Sequence, residues 1–452
     1  MMSASPFAIR GVIEGFYGTP WTHEQRLSLI TFLAAHGMNT FVYAPKDDPL
    51  VREDWRIAYD GADLSRMQEL VSACAAHDIE FVYCLSPGLS VEYSSAPDRA
   101  TLSEKLRSVG SIGVASFGLL LDDIPDELQY PSDRDAFVDL VDAHTVLVGD
   151  VFDNLTKGDH LFVCPTQYWG RGNEDYITRL GLGIDPRIDL FWTGRAICSA
   201  TLDRADAELF ADSTGRQPVY WDNYPVNDIN MTHELHIGPY QGRDRDLHLA
   251  ARGVITNGME LFESSRIAFA TIADYLHDPA GYDAEASWLA AIREVAGPDA
   301  EAFDLFADNV RSSCLSADDA PMLTRAIESF GFNSQYGSRE QAADGLAELA
   351  SRMLSAADHL LGGDVVNAAL IAEARPWIEA FRLGAEAVGC IAELYAAGRL
   401  ASDGPTELNP YLGRLRDSRH RVFGDLLDMT LSDLTIRRPS HQNDRHSKEA
   451  AS

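Results

Sequence analysis

The sequence predicts an α/β protein, a (β/α)8 TIM barrel followed by an all-α helical bundle domain, and three observations carry that expectation. From residue 9 to about 275 short β-rich runs alternate with longer amphipathic stretches, as repeated βα units do. After about residue 276 the β-rich runs stop, and only the helical spacing of apolar residues continues. Acidic, amide and aromatic residues gather just past the ends of the β-rich runs, where a parallel barrel carries its functional loops.

In chain order the strand candidates are "IRGVIEGF", "NTFVYAP", "IEFVYCLSP", "FGLLLDD", "HLFVCPTQY", "IDLFWTG", "PVYWDN" and "RGVITN". Eight strands in about 250–270 residues match the size of such a barrel. Between the earlier ones, "THEQRLSLITFLAAHG" and "DLSRMQELVSACAAHD" open on a Thr and an Asp suited to capping a helix. The competing arrangement is a doubly wound sheet. It lacks support, because "EGFYGTPW" after the first strand is not a GxGxxG phosphate turn and no other segment supplies one. Past the barrel, "DAEASWLAAIREVAG", "SREQAADGLAELASRMLSAADHLLGG" and "VVNAALIAEARPWIEAFRLGAEAVGCIAELYAAG" read as helices, with Pro376 expected to bend or break the third. The expected organisation is a segment at 1–8, the barrel at 9–275, a helical domain at 276–436 and a polar, Pro-interrupted, disordered tail at 437–452.

Composition narrows the partners. Of 452 residues 46% are apolar and 23% charged, which is the balance of a folded globular protein. The 69 acids outnumber the 37 bases for a formal charge of −32, which disfavours nucleic acid, anionic lipid and polyanionic sugars as partners. The six cysteines are widely spaced, with no CxxC or Cys/His pattern for a metal or a disulfide framework, and read as reduced core thiols. No metal or cofactor is expected. The N-terminus lacks the basic-then-apolar layout of a signal peptide and no stretch has the ~18 apolar residues of a membrane span, so the expected location is cytoplasmic.

The residues just past each strand are Glu14, Gly15 and Tyr17, then Lys46, Asp47 and Asp48, then Asp122 and Asp123. Later strands add Tyr168 and Trp169, Trp192 and Thr193, Trp221, Asp222, Asn223 and Asp228, and Asn257. Carboxylates, amides, indoles and phenols with few cations suit a neutral polyol such as a sugar. A single Asp after a strand is as readily a helix cap, as in "DLSRM". Doublets are different. In Asp122–Asp123 each charge favours a proton on its neighbour, which yields one acid and one base, the pair that glycoside hydrolysis needs. The rival doublet, Asp47–Asp48, sits beside Lys46, whose charge would keep both ionised and suit them to binding.

Glycosidase carboxylates normally face each other across the scissile bond, roughly 5–5.5 Å apart for retention and 6.5–9.5 Å for inversion. Neighbours on one loop fit neither geometry well. They fit the exception in which the substrate supplies the nucleophile. An N-acetylhexosamine can do so: one Asp accepts its N–H and supports a developing oxazoline while the other protonates the leaving oxygen.

"GVIEGFYGTPW", "NTFVYAPKDDP", "LLLDDI", "CPTQYWG", "WTG", "WDNYPVND" and "GVITNGME", in that order and spacing, closely resemble the catalytic domain of family 84 glycoside hydrolases, the O-GlcNAcase-like β-N-acetylglucosaminidases. The resemblance spans about residues 9 to 275 and implies Asp122 as the group that polarises the acetamide and Asp123 as general acid/base. It likewise implies Tyr168 on the acetamido oxygen, Gly15 and Lys46 on sugar hydroxyls, and Asn223 near the N-acetyl pocket. Asp228 would grip the 4- and 6-hydroxyls, Asn257 would complete that rim, and Trp221 would line the pocket.

The expected function is therefore a retaining exo-β-N-acetylglucosaminidase, acting on a GlcNAc-bearing glycoprotein or a small glycoconjugate. Two alternatives stand beside it: a hyaluronidase-like endo-enzyme, disfavoured by the net charge, and a non-catalytic GlcNAc-binding barrel, which would not need the second acid. In the family a helical region beside the barrel helps form the aglycone groove, sometimes across a dimer. The apolar helical half here accommodates a homodimer interface or an internal contact equally well.

Overall fold

The computed structural model describes residues 5–435; the expected tail at 437–452 lies outside them. Among these residues eight parallel strands close into a barrel in sequence order. They are β1 (Ile9–Glu14), β2 (Thr40–Tyr43), β3 (Glu80–Leu85), β4 (Ser116–Leu120), β5 (His160–Cys164), β6 (Asp189–Trp192), β7 (Val219–Asp222) and β8 (Gly253–Asn257). Closure is made by β1 against β8, with Ile13 opposite Asn257. All eight expected strands are present. Helices cover the outside of a parallel barrel and side chains fill its inside, so its strands are buried on both faces. That is why runs such as "TFVY" and "SFGLL" show no polar alternation.

The barrel interior is packed with Ile13, Val42, Val82, Leu120, Phe162, Phe191, Val219 and Ile255. Trp221 and Cys164 lie in the same cluster, and Tyr168 packs against it, so the core runs directly into the loops at the C-terminal ends of the strands. Thr22 caps the helix His23–Ala35 through a full capping box with Gln25. The second expected cap is displaced. Asp60 holds the N-cap position of the helix Gly61–Ala76, without a side-chain bond, and Asp63 falls within its first turn.

Chain compactness divides the protein into two units, one of residues up to Ala300 with Arg311–Ala317 and Val366–Ala374, the other of Glu301–Val310, Asp318–Val365 and Arg375 onward. The helix Ala284–Ala296 belongs to the first unit. In the second, the helix Arg339–Leu361 starts at a Ser338 capping box, and Phe381 meets Phe306 and Phe423 at ring distances of 5.7 and 6.0 Å. The helix Ala368–Ala396 runs through Pro376 unbroken, contrary to the break allowed for above. Burial of Leu370, Ile371, Ala374, Trp377, Ile378 and Phe381 on both sides offsets the roughly 3 kcal/mol that an interior proline costs. Among the described residues no helix is long and apolar enough to cross a membrane.

The opposite end of the barrel is tied by charge. His160, at the start of β5, meets Glu80 of β3 at 3.1 Å and Asp189 of β6 at 2.7 Å. Ser116 of β4 donates to the same Glu80 oxygen, and Arg252, just before β8, pairs with Asp189 at 2.9 Å. Burial alone would push His160 down, but its bonds to Asp189 and Glu80 push it up to about 9 from 6.5. A raised histidine pKa stabilises the folded state fully below the unfolded value, and that stabilisation is lost as pH rises through the folded one. The urea midpoint is therefore expected to fall between pH 6.5 and about 9. In His160→Gln that part of the slope should vanish; an unchanged slope would remove His160 as its source.

Candidate active site

The site starts from a turn. Leu121 still pairs with β5 through its N–H to Cys164 O at 2.8 Å, and Thr166 Oγ1 donates to Leu121 O at 2.6 Å. Asp122 and Asp123 follow, and Asp123 takes a left-handed backbone at φ 54°. Successive side chains of an extended chain point to opposite faces. The left-handed residue breaks that alternation, at a cost on the order of 1 kcal/mol, and both carboxylates reach one cavity. This cavity, of about 350 Å³, is at the small end of ligand pockets.

Lys46, carried by the loop after β2, is buried and clamps the pair. Its Nζ donates in a short bond to Asp122 Oδ2 and lies 3.7 Å from Asp123 Oδ2. Burial disfavours its charge, but the two aspartates outweigh burial and raise its pKa. The other Asp122 oxygen, Oδ1, is buried with no partner among the described residues. Asp123 accepts from Tyr17 Oη at 2.8 Å and from Tyr168 Oη at 3.0 Å. Arg52 Nη1 donates to Tyr17 Oη at 2.7 Å.

Burial pushes Asp123 up, yet Lys46, the two tyrosine hydroxyls and Arg52 together hold it below the usual carboxylate range. The Lys46 charge and these partners together outweigh burial. Asp228, which accepts the Tyr17 N–H at 2.7 Å, is shifted the other way, by burial first and by the Asp123 charge.

One wall is a hydrogen-bonded strip. Gly15 N–H donates to Asn257 Oδ1 at 3.1 Å, and Asn257 Nδ2 donates to Asn223 Oδ1 at 3.1 Å. Trp221 Nε1 donates to that same oxygen at 2.9 Å, while Asn223 Nδ2 reaches Ile197 O at 2.9 Å. Gly15 must be glycine here, since an added Cβ would sit 2.6 Å from the Trp221 indole.

Gly15, Lys46, Asp122, Asp123, Tyr168, Trp221, Asn223, Asp228 and Asn257 thus all line the one cavity, joined by Tyr17, Thr193 and Ile229. Asp47 and Asp48 do not. Asp47 accepts from Gly18 N–H at 2.8 Å, and Asp48 accepts from Tyr43, Leu50 and Tyr59, so both hold loops rather than ligand. Trp192 is buried against Phe210. Arg52 was not legible as a site residue. It stands six positions past Lys46 in "KDDPLVRED", and only its place on a loop after a strand marks it. Among the described residues no group of three or more His, Cys, Asp or Glu could hold a metal ion.

Residues 10–308 match the profile of the beta-N-acetylglucosaminidase family. The chain belongs to family 84 of the glycoside hydrolases. The rat and mouse enzymes named protein O-GlcNAcase are each 32% identical to it over 349 residues, 74% of this chain. The chain spans only 38% of their length. A solved mutant of the Thermobaculum terrenum O-GlcNAc hydrolase is 33% identical, superposes with a TM-score of 0.89, and covers 95% of both chains. With this family-84 cavity, Gly15→Ala is expected to displace the Trp221 indole. Overpacking should lower the unfolding free energy by about 1–3 kcal/mol in a urea titration. Unchanged stability would show that the indole is free to move aside.

Proposed function

We propose that the protein is a retaining exo-β-N-acetylglucosaminidase that removes terminal β-linked GlcNAc from protein Ser/Thr or another aglycone through an oxazoline. The observation that carries this reading is the Asp122 carboxylate on the cavity wall, with one oxygen held by Lys46 and the other buried without a partner among the described residues. A buried acceptor is costly until a donor meets it. The N–H of a 2-acetamido group is such a donor. Once bound to Asp122 it would turn the acetamide oxygen toward C1, and the charge that develops on nitrogen as this oxygen attacks would face a carboxylate.

Asp123 lies on the same turn and would protonate the departing glycosidic oxygen. In the free site its ionised form is favoured, so the proton must be gained when substrate binds. Two changes favour that gain. A sugar in the cavity excludes water from Asp123, and an acetamido oxygen that takes the Tyr168 hydroxyl withdraws one of the bonds that hold its pKa down. After the first step Asp123, now a carboxylate, would take a proton from water as it opens the oxazoline. Two inversions at C1 give retention. Asp228 and the Gly15–Asn257 strip are placed to meet the sugar's far hydroxyls, and the modest cavity fits one terminal residue better than the interior of a chain.

Hydrolysis of an aryl β-N-acetylglucosaminide, beside the matched β-glucoside, tests the reading. Only the acetamidosugar should react, and its rate should fall as fluorines are added to the acetyl group. Asp122→Asn should depress all substrates, whereas Asp123→Asn should cost about 10²–10⁴ on poor leaving groups and far less on activated phenols. Equal cleavage of the glucoside would sink substrate assistance. Arg52→Gln removes a cation that lowers the Asp123 pKa. The alkaline limb of kcat/KM should then move to higher pH, since that profile reports the free enzyme; a shift to lower pH would exclude Asp123 as the acid.

A further inference from the structure

Two thiols meet at the edge of the cavity. Cys198 lines it on the loop after β6, and Cys314 arrives from the segment Arg311–Ala317 of the same compact unit, in side-chain hydrogen-bonding contact with Cys198. Both are free and half-buried. Cys74, Cys84 and Cys164 are instead buried, with burial pushing all three thiols up, so they are poor nucleophiles. The expectation of core thiols holds for those three and fails for Cys198, Cys314 and Cys390.

One member of the pair touches Asn223, and the other follows a residue that does. Cys314 Sγ lies 3.8 Å from the Asn223 carbonyl oxygen, and Cys198 directly follows Ile197, whose carbonyl receives the Asn223 side chain at 2.9 Å. Asn223 in turn anchors Trp221 and Asn257. The contact with Cys314 also holds the Cys198 thiol below its ordinary pKa, which makes Cys198 the better nucleophile of the two.

We propose that Cys198 and Cys314 form an oxidisable dithiol, closed to a disulfide by a hydroperoxide, and that the closed form distorts the Asn223 wall and lowers hydrolysis reversibly. The Cys198 thiolate attacks the peroxide; an S–O bond forms, the O–O bond breaks, and water leaves after protonation. Cys314 sulfur then attacks the sulfenic sulfur, the S–S bond forms, and hydroxide leaves to become water with the Cys314 proton. Two thiols lose two electrons and the peroxide gains them. Closure brings the two sulfurs to the ~2.05 Å of a disulfide. The bond displaces the Cys314 thiol from the Asn223 carbonyl.

The loss of activity rests on the hydrolase reading above, but the cross-link does not. The full chain, treated with hydrogen peroxide and digested without reductant, should yield the Cys198 and Cys314 peptides joined. Activity on the aryl substrate should fall roughly tenfold, the equivalent of one strong hydrogen bond, and return with dithiothreitol. Cys314→Ser should keep its activity through the same treatment. Cys198→Ser, read as the ratio of activities before and after peroxide, answers the same question should Cys314→Ser not fold. Separate peptides with both thiols still open to alkylation would overturn the proposal, as would a serine variant that loses as much activity as wild type. Reduced protein that never hydrolyses would count against the hydrolase reading and leave the joined peptides to decide the dithiol.

Discussion

The structure of the site depends on one buried ammonium. Two adjacent carboxylates at the mouth of an apolar barrel could not both stay charged without a counter-ion, because removing each from water costs several kcal/mol. Lys46 supplies that charge from the loop after β2, two strands away from the β4 turn that bears the acids. Alternate strands of a closed barrel send side chains into the same layer. Lys46 and Asp122, 76 positions apart in sequence, lie just past two such strands and meet at the C-terminal end of the barrel.

From this pair the other constraints follow. Lys46 holds Asp122 Oδ2, the remaining Asp122 oxygen is left as a buried acceptor, and Asp123 is held by Lys46 together with Tyr17, Tyr168 and Arg52. Tyr17 links the two sides, since its hydroxyl serves Asp123 and its N–H serves Asp228. Charge at the other end of the barrel has a different task. The cluster of Glu80, His160, Asp189 and Arg252 has its acids matched to cations and joins β3, β5 and β6 to the residue before β8. One end of the barrel is balanced by ion pairs, and at the other Asp122 Oδ1 has no partner among the described residues.

Most of the fold was legible because burial on both faces leaves each strand a short continuous apolar run. The eight runs in the sequence and the eight strands coincide. Local rules erred where distant packing outweighed them. Pro376 breaks a helix by propensity, yet both flanks are buried and the helix continues. Asp63 is a cap by residue type, but the turn places Asp60 there. Much of the site's membership was legible too, since Gly15, Lys46, Asp122, Asp123, Tyr168, Trp221, Asn223, Asp228 and Asn257 lie at or past strand ends and line the cavity, whereas Asp47 and Asp48 do not line it. Its hydrogen bonding was not. Gly15 N–H donates to Asn257, and the Asn223 side-chain oxygen accepts from both Asn257 and Trp221.

The sequence by itself determined the barrel, the doublet at the tip of β4 and the family motifs around it, because each depends on residues near one another in the chain. Only the tertiary structure decided which charges meet. Lys46 lies beside Asp47 and Asp48 in sequence but turns to Asp122 and Asp123, and Cys314 crosses from a distant segment to Cys198. The physical reason is range. Backbone conformation is set by neighbours within a few residues, whereas ion pairing in a low-dielectric cavity is set by distances that only barrel closure brings down to a few ångströms.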